Sequence, residues 1–420
     1  MPDLPVLLGG PPIRTQPFPA HPRALGGELE AIARVLAGDC WLDGEVTQLF
    51  EANLAQFLDS RGHIVAVNSG GMALQIALRA LGIEPGDEVL MRVDTCVADA
   101  YSVFNAGGVP LFLDVDPETA NIDWPAADAL VGPRTKALIA VHMWGRPEDL
   151  TAAQAFAGRH GLGLIDDACL ALGARWDQRP VGTFGDLGVF SFGWLKPLQA
   201  GGGGAVFTRD EETACRLRTL RAWGDTEGEY GRRDQEELGW NGRLPEIVAA
   251  VLTEQLKGYP ALLETLRRNA AKLEEAIAHL PGLASWPTQS TATTSAHTKF
   301  SIRVDEPELG FSLDTLAAAL EAEGVPDVWH AAFEPLTALT FFAEDRWRAW
   351  AHAHPDHRRV QDNYARSYDG AEHLYRHGGI TLGRNVLLTD DAVDDTAAIL
   401  ARICKHAPQL AEWERTKNEE

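Results

Sequence analysis

Two residues that follow apolar runs have side chains suited to covalent catalysis. Asp167 ends the run 162–167, and Lys196 lies beyond the run 189–192, shortly before the glycines 201–204. A lysine can form a Schiff base with an aldehyde, and a carboxylate can keep a pyridine nitrogen protonated. A pyridoxal phosphate enzyme needs both groups. The alternative is that Lys196 is a solvated loop residue and Asp167 a helix cap, and these two residues alone do not decide between the interpretations.

A second group of residues is suited to bind a phosphate. Segment 68–74 follows a predicted strand and opens a predicted helix, and it contains Gly70 and Gly71. Glycines let backbone amides approach an anion at a helix N-terminus, where the helix dipole favours negative charge. Ser191 could offer its hydroxyl to the same phosphate. A glycine pair between a strand and a helix is also common as a simple turn, so the motif is weak when taken alone.

The histidines His352, His354 and His357 raise the question of a metal site. Pro355 interrupts helical spacing between them, and no carboxylate–histidine motif accompanies them. We therefore interpret the cluster as a solvated turn and expect no metal.

These candidate residues need elements that place them side by side. Between residue 62 and about residue 208, apolar β-rich runs alternate with helical patterns, which predicts a mostly parallel sheet covered on both faces. Ligands of such sheets bind at the carboxyl ends of the strands, where Asp167 and Ser191 fall. The seven predicted strands include 64–67, 88–91, 110–114, 137–141, 162–165, 187–191 and 205–208.

The C-terminal part of the chain has a different pattern. Segment 253–280 reads as a long helix that bridges to a smaller α+β domain. We expect a large α/β domain over 1–255, with an N-terminal arm, and the bridging helix and small domain over 256–420. The last dozen residues are polar, and we expect them to fray.

Composition narrows the class of protein. The 420 residues carry 37 basic and 60 acidic side chains, a net charge of −23 that disfavours nucleic acid and anionic membranes as partners. No apolar stretch approaches the ~20 residues of a membrane span. Five scattered cysteines without a CxxC pair make a disulfide framework improbable and favour a reducing cytoplasm.

Taken together, the motifs resemble the DegT/StrS family of sugar and cyclitol aminotransferases, and the resemblance covers almost the whole chain. Segments 141–143 and 386–388 are most similar to the branch with 3-amino-5-hydroxybenzoate synthase and the inosose aminotransferases. The matching motifs lie at 8–14, 41–44, 50–51, 86–89, 114–119, 133–136, 141–145, 191–196 and 241–243.

The resemblance implies the fold of type I pyridoxal phosphate enzymes and a homodimer whose active site lies at the subunit interface. Lys196 matches the family's Schiff-base lysine and Asp167 its partner for the pyridine nitrogen. Ser191 and the turn 69–72 (Ser69, Gly70, Gly71 and Met72) match the phosphate-binding residues. Asn241 matches an asparagine that reaches the phosphate of the neighbouring subunit.

Three residues depart from the family pattern, and all three would surround the cofactor. Gly71 replaces a threonine or serine, Cys96 an aromatic residue that stacks on the pyridine ring, and Leu170 a glutamine or histidine near the ring. A lost aromatic stack costs about 0.5–1.5 kcal/mol and a lost hydrogen bond about as much. We expect weaker cofactor binding, by roughly one to two powers of ten, with the chemistry retained.

We therefore expect an aminotransferase that moves an amino group from glutamate or glutamine to a keto sugar or carbocyclic ketone, in amino-sugar or antibiotic biosynthesis. One alternative is a dehydratase or lyase with the same cofactor, although the family's sugar dehydratases replace the lysine by histidine. Another is a non-catalytic partner subunit of the same fold. Candidates to line the substrate pocket are His142, Trp144, His297, Lys299 and Trp329, with a role in the core or at the surface as the alternative for each.

Overall fold

The computed structural model describes residues 3–59, 61–227, 233–235, 237–287 and 292–419. Its strands are β1 (His63–Val67), β2 (Glu88–Arg92), β3 (Val109–Leu113), β4 (Thr135–Val141), β5 (Gly163–Asp167), β6 (Arg175–Trp176), β7 (Arg179–Pro180), β8 (Leu187–Ser191), β9 (Gly204–Thr208), β10 (Asp225–Glu227), β11 (Arg233–Gln235), β12 (Leu283–Ala284), β13 (Lys299–Val304), β14 (Trp329–His330) and β15 (Gly379–Gly383).

Helices alternate with the strands of the first half and dominate the second. They are α1 (Glu28–Ala37), α2 (Glu45–Phe57), α3 (Gly70–Ala80), α4 (Val97–Asn105), α5 (Trp124–Ala127), α6 (Leu150–His160), α7 (Glu211–Arg221), α8 (Glu246–Ile277), α9 (Glu306–Leu309), α10 (Leu313–Ala322), α11 (Thr340–Ala343), α12 (His357–Ala365), α13 (Asp369–His373), α14 (Asp390–Lys405) and α15 (Ala407–Glu419).

The main sheet has seven strands in the order β1-β9-β8-β5-β4-β2-β3. All pairs from β8 to β3 are parallel, whereas β9 is antiparallel to both of its neighbours. The seven apolar runs therefore correspond to the seven strands, and the predicted mostly parallel sheet is confirmed. Strands β2, β3 and β9 are buried along their whole length, as expected for a sheet covered on both faces.

The carboxyl ends of the parallel strands bring the candidate residues to one edge of the sheet. Asp167 is the last residue of β5, and Ser191 is the last residue of the neighbouring strand β8. Strand β1 runs in the same direction as β8, because both are antiparallel to β9, so Ser69 emerges at that edge too. The order of the strands thus brings together residues that are far apart in the sequence.

A second core lies around the four-stranded sheet β12-β13-β15-β14. The long helix α8 contributes to both cores: Tyr259 and Leu263 pack in the first, and Leu266 and Leu273 in the second. Residues between 332 and 374 also pack into the first core. The division at residue 255 stays a prediction.

Two expectations about the C-terminal half are wrong in detail. Helix α8 runs without a break from Glu246 through Pro260 to Ile277, so the bounds of the predicted segment 253–280 are shifted at both ends. The last residues do not fray over their length, because α15 runs from Ala407 to Glu419. Leu410 is fully buried, and the Glu414 carboxylate accepts a hydrogen bond from the Thr315 hydroxyl at 2.8 Å, which ties α15 to α10.

Candidate active site

The turn between β1 and α3 presents the start of a helix at the carboxyl edge of the sheet. Ser69 is the N-cap of α3, and its hydroxyl oxygen accepts a hydrogen bond from the Met72 N–H at 3.0 Å. The first N–H groups of a helix have no acceptor within the helix, so Gly70 and Gly71 offer donors there. This arrangement suits an anion.

Gly70 allows the close packing of the three segments that meet at this point. A Cβ atom on Gly70 would lie 2.6 Å from Cβ and 2.8 Å from Oγ of Ser191, and 3.4 Å from Sγ of Cys169. The start of α3, the end of β8 and the turn after β5 are therefore in contact. Gly71, by contrast, has open space where a Cβ would be.

Lys196 lies in a turn beyond β8, and an arginine that the sequence reading missed holds this turn. The Lys196 N–H donates to the Gly193 carbonyl at 3.0 Å. The guanidinium of Arg384 donates to the Lys196 carbonyl at 2.8 Å, to the Leu195 carbonyl, and to the Thr298 carbonyl at 3.1 Å. Burial lowers the pKa of Arg384 to about 10, which leaves it charged at neutral pH. Arg384 thereby ties the lysine turn to the second core.

Asp167 is almost completely buried, with 2% of its surface exposed. Its Oδ1 accepts a hydrogen bond from the Cys169 N–H at 2.8 Å. Burial, together with the charge of Asp167, raises the pKa of the Cys169 thiol well above its ordinary value, whereas the charge of Lys196 opposes that shift. Asp167, Cys169 and Lys196 therefore lie within electrostatic reach of one another.

A second buried carboxyl, Asp99, accompanies Asp167. Asp99 lies in the first turn of α4, is 3% exposed, and forms a side-chain hydrogen bond with Asp167. The Thr95 hydroxyl donates to its other side. Burial first, and the charge of Asp167 second, raise the pKa of Asp99 well above its ordinary value. The sequence reading missed Asp99, although its position three residues after Cys96 in the turn beyond β2 was a usable signal.

The residues that depart from the family pattern lie around the same group. Cys96 is the exposed N-cap of α4, within electrostatic reach of Lys196 and Asp167. Leu170 is buried, and its carbonyl accepts a hydrogen bond from the Thr298 hydroxyl. The structure thus places Cys96, Leu170 and Gly71 at the edge where the sequence predicts a cofactor.

Asn241 lies beside the carboxyl end of β1. Its backbone carbonyl accepts a hydrogen bond from Nδ2 of Asn68 at 2.8 Å, and its side chain is exposed. Asn241 therefore stands near the start of α3 of its own chain while facing outward.

A cavity of about 90 Å³ adjoins Leu170, and it receives some of the predicted pocket residues. Trp144, Lys299 and Arg384 line it. The Lys299 Nζ donates to the Asp327 carbonyl at 3.0 Å and lies 3.6 Å from the centre of the Trp329 ring. Burial lowers the pKa of Lys299 to about 7.

The histidine candidates occupy other places. His142 is fully buried: its Nδ1 accepts from the Glu148 N–H at 2.9 Å, and its Nε2 lies 2.6 Å from the Asp166 carboxylate. His142 therefore contacts Asp166 on β5 within the core and does not line the cavity. Burial lowers the pKa of His297 to about 4.

The cluster at 352–357 is not simply a solvated turn. His354 is 2% exposed, and its Nε2 lies 3.2 Å from the Glu88 carboxylate, which Arg359 also contacts at 2.6 Å. The reason is that the turn packs on the start of β2. Within the described ranges, no group of three or more His, Cys, Asp or Glu is arranged to hold a metal ion.

The geometry fits a cofactor with an aldehyde, an aromatic nitrogen and a phosphate. Lys196 offers an amine, and Asp167 offers a buried carboxylate to a protonated ring nitrogen. The start of α3 and the hydroxyls of Ser69 and Ser191 offer donors to a phosphate. A buried carboxylate is costly unless a cation or hydrogen-bond donors meet it, which a pyridinium would do. Each part of the proposed cofactor therefore has a counterpart at this edge.

Comparison with known proteins agrees with this geometry. The model of the DegT/DnrJ/EryC1/StrS aminotransferase family matches residues 25–362. The L-glutamine:2-deoxy-scyllo-inosose aminotransferase of Streptoalloteichus tenebrarius is 34% identical over 419 residues, covering 96% of this chain and 97% of the relative.

Two solved structures extend the comparison to the fold. DesI, crystallised in the presence of its TDP-sugar product, has a TM-score of 0.82 at 28% identity, covering 99% of both chains. 3-Amino-5-hydroxybenzoic acid synthase has a TM-score of 0.78 at 26% identity, covering 93% of this chain and 99% of that one. The expected fold of type I enzymes, and the expected similarity to this branch, are confirmed.

Proposed function

This chain belongs to the DegT/DnrJ/EryC1/StrS aminotransferase family, and on that basis we propose that it uses pyridoxal phosphate to move an amino group from glutamine or glutamate to a ketone on a carbocycle or sugar. The observation that carries the proposal is the meeting of Lys196, Asp167 and the start of α3 at one edge of the sheet. These groups come from three separate segments of the chain, so their proximity is not a consequence of sequence neighbourhood.

The cofactor would be held by one covalent bond and by several polar contacts. Lys196 would bind its aldehyde carbon covalently and Asp167 its ring nitrogen. The amides of Gly70 and Gly71 and the hydroxyls of Ser69 and Ser191 would bind its phosphate, and Met72, whose N–H donates to the Ser69 hydroxyl oxygen, would hold the turn. Cys96 and Leu170 would lie near the ring. When bound, pyridoxal phosphate supplies an electron sink for the carbon that loses a proton.

The remaining chemistry belongs to the protein. With its amine free, Lys196 Nζ would take a proton from the α-carbon of the amino donor and return it. The Asp167 carboxylate would stabilise a positive charge on the ring nitrogen. Arg384 holds the backbone of the lysine turn, so Lys196 keeps its position when its amine is released.

The acceptor class follows from the relatives. One is named for 2-deoxy-scyllo-inosose with glutamine as donor, and another was crystallised with a TDP-sugar. We propose a carbocyclic ketone as the first substrate to test and a nucleotide-linked keto sugar as the second. Trp144 and Lys299 would face it from the cavity beside Leu170. Trp329, whose ring covers the Lys299 amine, would support that face.

A homodimer with shared active sites is part of the proposal. Segment 28–57 carries large apolar side chains at the surface, including Leu29 (83% exposed) and Trp41 (57% exposed), as an interface requires. Asn241 faces outward, as a residue that reaches a neighbouring subunit must.

We propose a cytoplasmic enzyme. Across the described ranges, no helix has both the length and the apolarity needed to cross a bilayer.

The test is an absorbance spectrum of the purified protein, followed by borohydride reduction and peptide mass mapping. We expect a visible band, a covalent label on Lys196, and a spectral change when glutamine or glutamate is added. Release of the matching 2-oxo acid would support transamination. A stable band without that release would favour an elimination, and no band even with added pyridoxal phosphate would favour a non-catalytic subunit.

A further inference from the structure

The carboxyl pair of Asp99 and Asp167 has a property that the proposed function does not require. Two ionised carboxylates in hydrogen-bond contact repel each other, and neither side of such a bond would have a donor. Both residues are at most 3% exposed, so water cannot relieve the repulsion. One proton must therefore lie between them.

The surroundings indicate which residue holds that proton. Asp167 accepts a hydrogen bond from the Cys169 N–H at 2.8 Å, a contact that suits a carboxylate oxygen. Asp99 is a residue of α4, and its carboxyl meets that of Asp167. Its place in the first turn of α4 and the Thr95 hydroxyl favour its ionised form, but burial and the Asp167 charge outweigh them and raise its pKa well above the ordinary value.

We propose that Asp99 is a positioning residue of the active site, and that its protonated carboxyl donates a hydrogen bond that fixes the Asp167 carboxylate towards the cofactor ring. The inference rests on the proposed function in that Asp167 faces a ring nitrogen. It adds a neutral acid that keeps the orientation of Asp167 and spares the site a second buried negative charge.

The charged and titratable groups that face Asp99 come from four segments. They are Arg92 on β2, Cys96 at the start of α4, Asp167 and Cys169 at the end of β5, and Lys196 beyond β8. A test must therefore change Asp99 alone and must read its protonation directly.

The variant Asp99→Asn is suited to this test, because asparagine has the same shape, cannot ionise, and still donates an N–H to Asp167. The folded pKa of Asp99 is raised, so its contribution to stability is complete below the unfolded value of about 3.9 and is lost as pH rises towards the folded pKa. The variant Asp99→Asn has no carboxyl at this position, so it does not lose this stability as pH rises. The ratio of its folding equilibrium constant to that of the wild type should therefore increase about tenfold per pH unit between pH 5 and 7.

Urea unfolding of the full chain, freed of cofactor and measured at several pH values, gives this difference. Asp149→Asn is the matched control, since it removes one carboxylate at the N-cap of α6, where asparagine caps equally well. The control should show no such trend. A difference between Asp99→Asn and the wild type that stays constant from pH 5 to 7 would overturn the proposal.

A spectroscopic readout and a binding readout complete the test. Infrared difference spectra should show the carbonyl band of a protonated carboxyl in the wild type at neutral pH and lose it in Asp99→Asn. Asp99→Ala should bind pyridoxal phosphate roughly tenfold to a hundredfold more weakly, and Asp99→Asn should restore binding at pH 7. An unchanged infrared band would also overturn the proposal. If the wild type bound no cofactor, the proposed function would fail. The pH dependence of the stability difference would still show whether Asp99 is protonated.

Discussion

Two groups of buried acids lie near the same edge of the sheet, and they are neutralised in different ways. At the end of β2, Asp94 receives two hydrogen bonds from the Arg92 guanidinium, at 2.7 and 2.8 Å, and Glu148 receives a third at 3.3 Å. At the end of β5, Asp167 has a backbone N–H and the second acid Asp99. The first group is satisfied by the protein itself, whereas the second is completed by a proton.

Under the proposed function, the difference separates a structural site from a reactive one. An arginine that binds two carboxylates stays charged at any physiological pH, so the Arg92 group is fixed. The Asp99–Asp167 group adjoins a lysine whose amine must be free to react and to exchange protons. An arginine at that place would hold Asp167 permanently, and a ring nitrogen could not compete with it.

The largest effect should come from Lys196→Ala. If the β5 group is reactive, the variant should fold normally yet lose the visible band and all turnover, because no other amine replaces the one that binds the aldehyde. Absorbance and the amount of 2-oxo acid released are the measurements. Lys136→Ala, at an exposed residue of β4, is the control and should behave as the wild type. Turnover in Lys196→Ala would reject the assignment.

The next effect should come from Arg92→Met, which breaks the structural group. Asp94 and Glu148 would be left buried without their cation, and loss of one partner of a buried ion pair typically costs 3–5 kcal/mol. Burial already raises the pKa of Glu148 and the Arg92 charge opposes that shift, so without Arg92 this pKa would rise further and the stability deficit should shrink as pH falls towards 5. Urea unfolding measures it. If the variant were as stable as the wild type at pH 7, the Arg92 group would not stabilise the fold, and the contrast between a structural and a reactive group would be wrong.

Lys299→Met offers a third kind of buried charge, one that faces aromatic rings. The folded pKa of Lys299 is about 7, well below the ordinary value of 10.5. The wild type should therefore gain stability relative to Lys299→Met as pH rises from 7 towards 10.5, by at most about 1.4 kcal/mol per unit, and lose it as pH falls back. Thermal unfolding at pH 7 and 9 measures the trend. A parallel pH dependence in both proteins would show that Lys299 keeps its charge.

The fold was largely predictable because its signals are local. Each of the seven apolar runs became a strand of the main sheet, and parallel strands place their ends at one edge. Helix α8 continues on both sides of Pro260, within the segment 253–280 that the sequence predicts as helical. The helix continues because Tyr259 and Leu263 pack in one core and Leu266 in the other, which outweighs one lost backbone hydrogen bond.

The proposed site follows from the sequence only where residues match a known pattern. Lys196, Asp167 and the 69–72 turn were proposed in this way, and the convergence of their segments follows from strand order. Asp99 and Arg384 were missed because their roles depend on contacts between distant segments. Nothing near Arg384 in sequence shows that it binds the carbonyl of Lys196. For His142 the sequence left a pocket role and a core role open, because its partner Asp166, 24 residues away, was not evident.

The smallest effect should come from Gly71→Ser, which strengthens the reactive site. A Cβ at Gly71 meets nothing within 4 Å, so a hydroxyl can be added at the start of α3 without strain. One more hydrogen bond to the phosphate should tighten pyridoxal phosphate binding by about two- to tenfold. Fluorescence titration of the cofactor-free protein gives the dissociation constant.

Gly71→Ala separates the hydroxyl from the loss of glycine freedom, since both variants stiffen the backbone equally. We expect alanine to leave the dissociation constant unchanged. If alanine tightened binding as much as serine does, the gain would come from the ordered turn. The phosphate would then be held by backbone amides alone, and the missing hydroxyl would not explain any weakness of this site. The Arg92 group lies outside this turn and is unchanged in both Gly71 variants. Their free energy of unfolding at pH 7 should therefore differ from that of the wild type by no more than the helix propensity of the new residue.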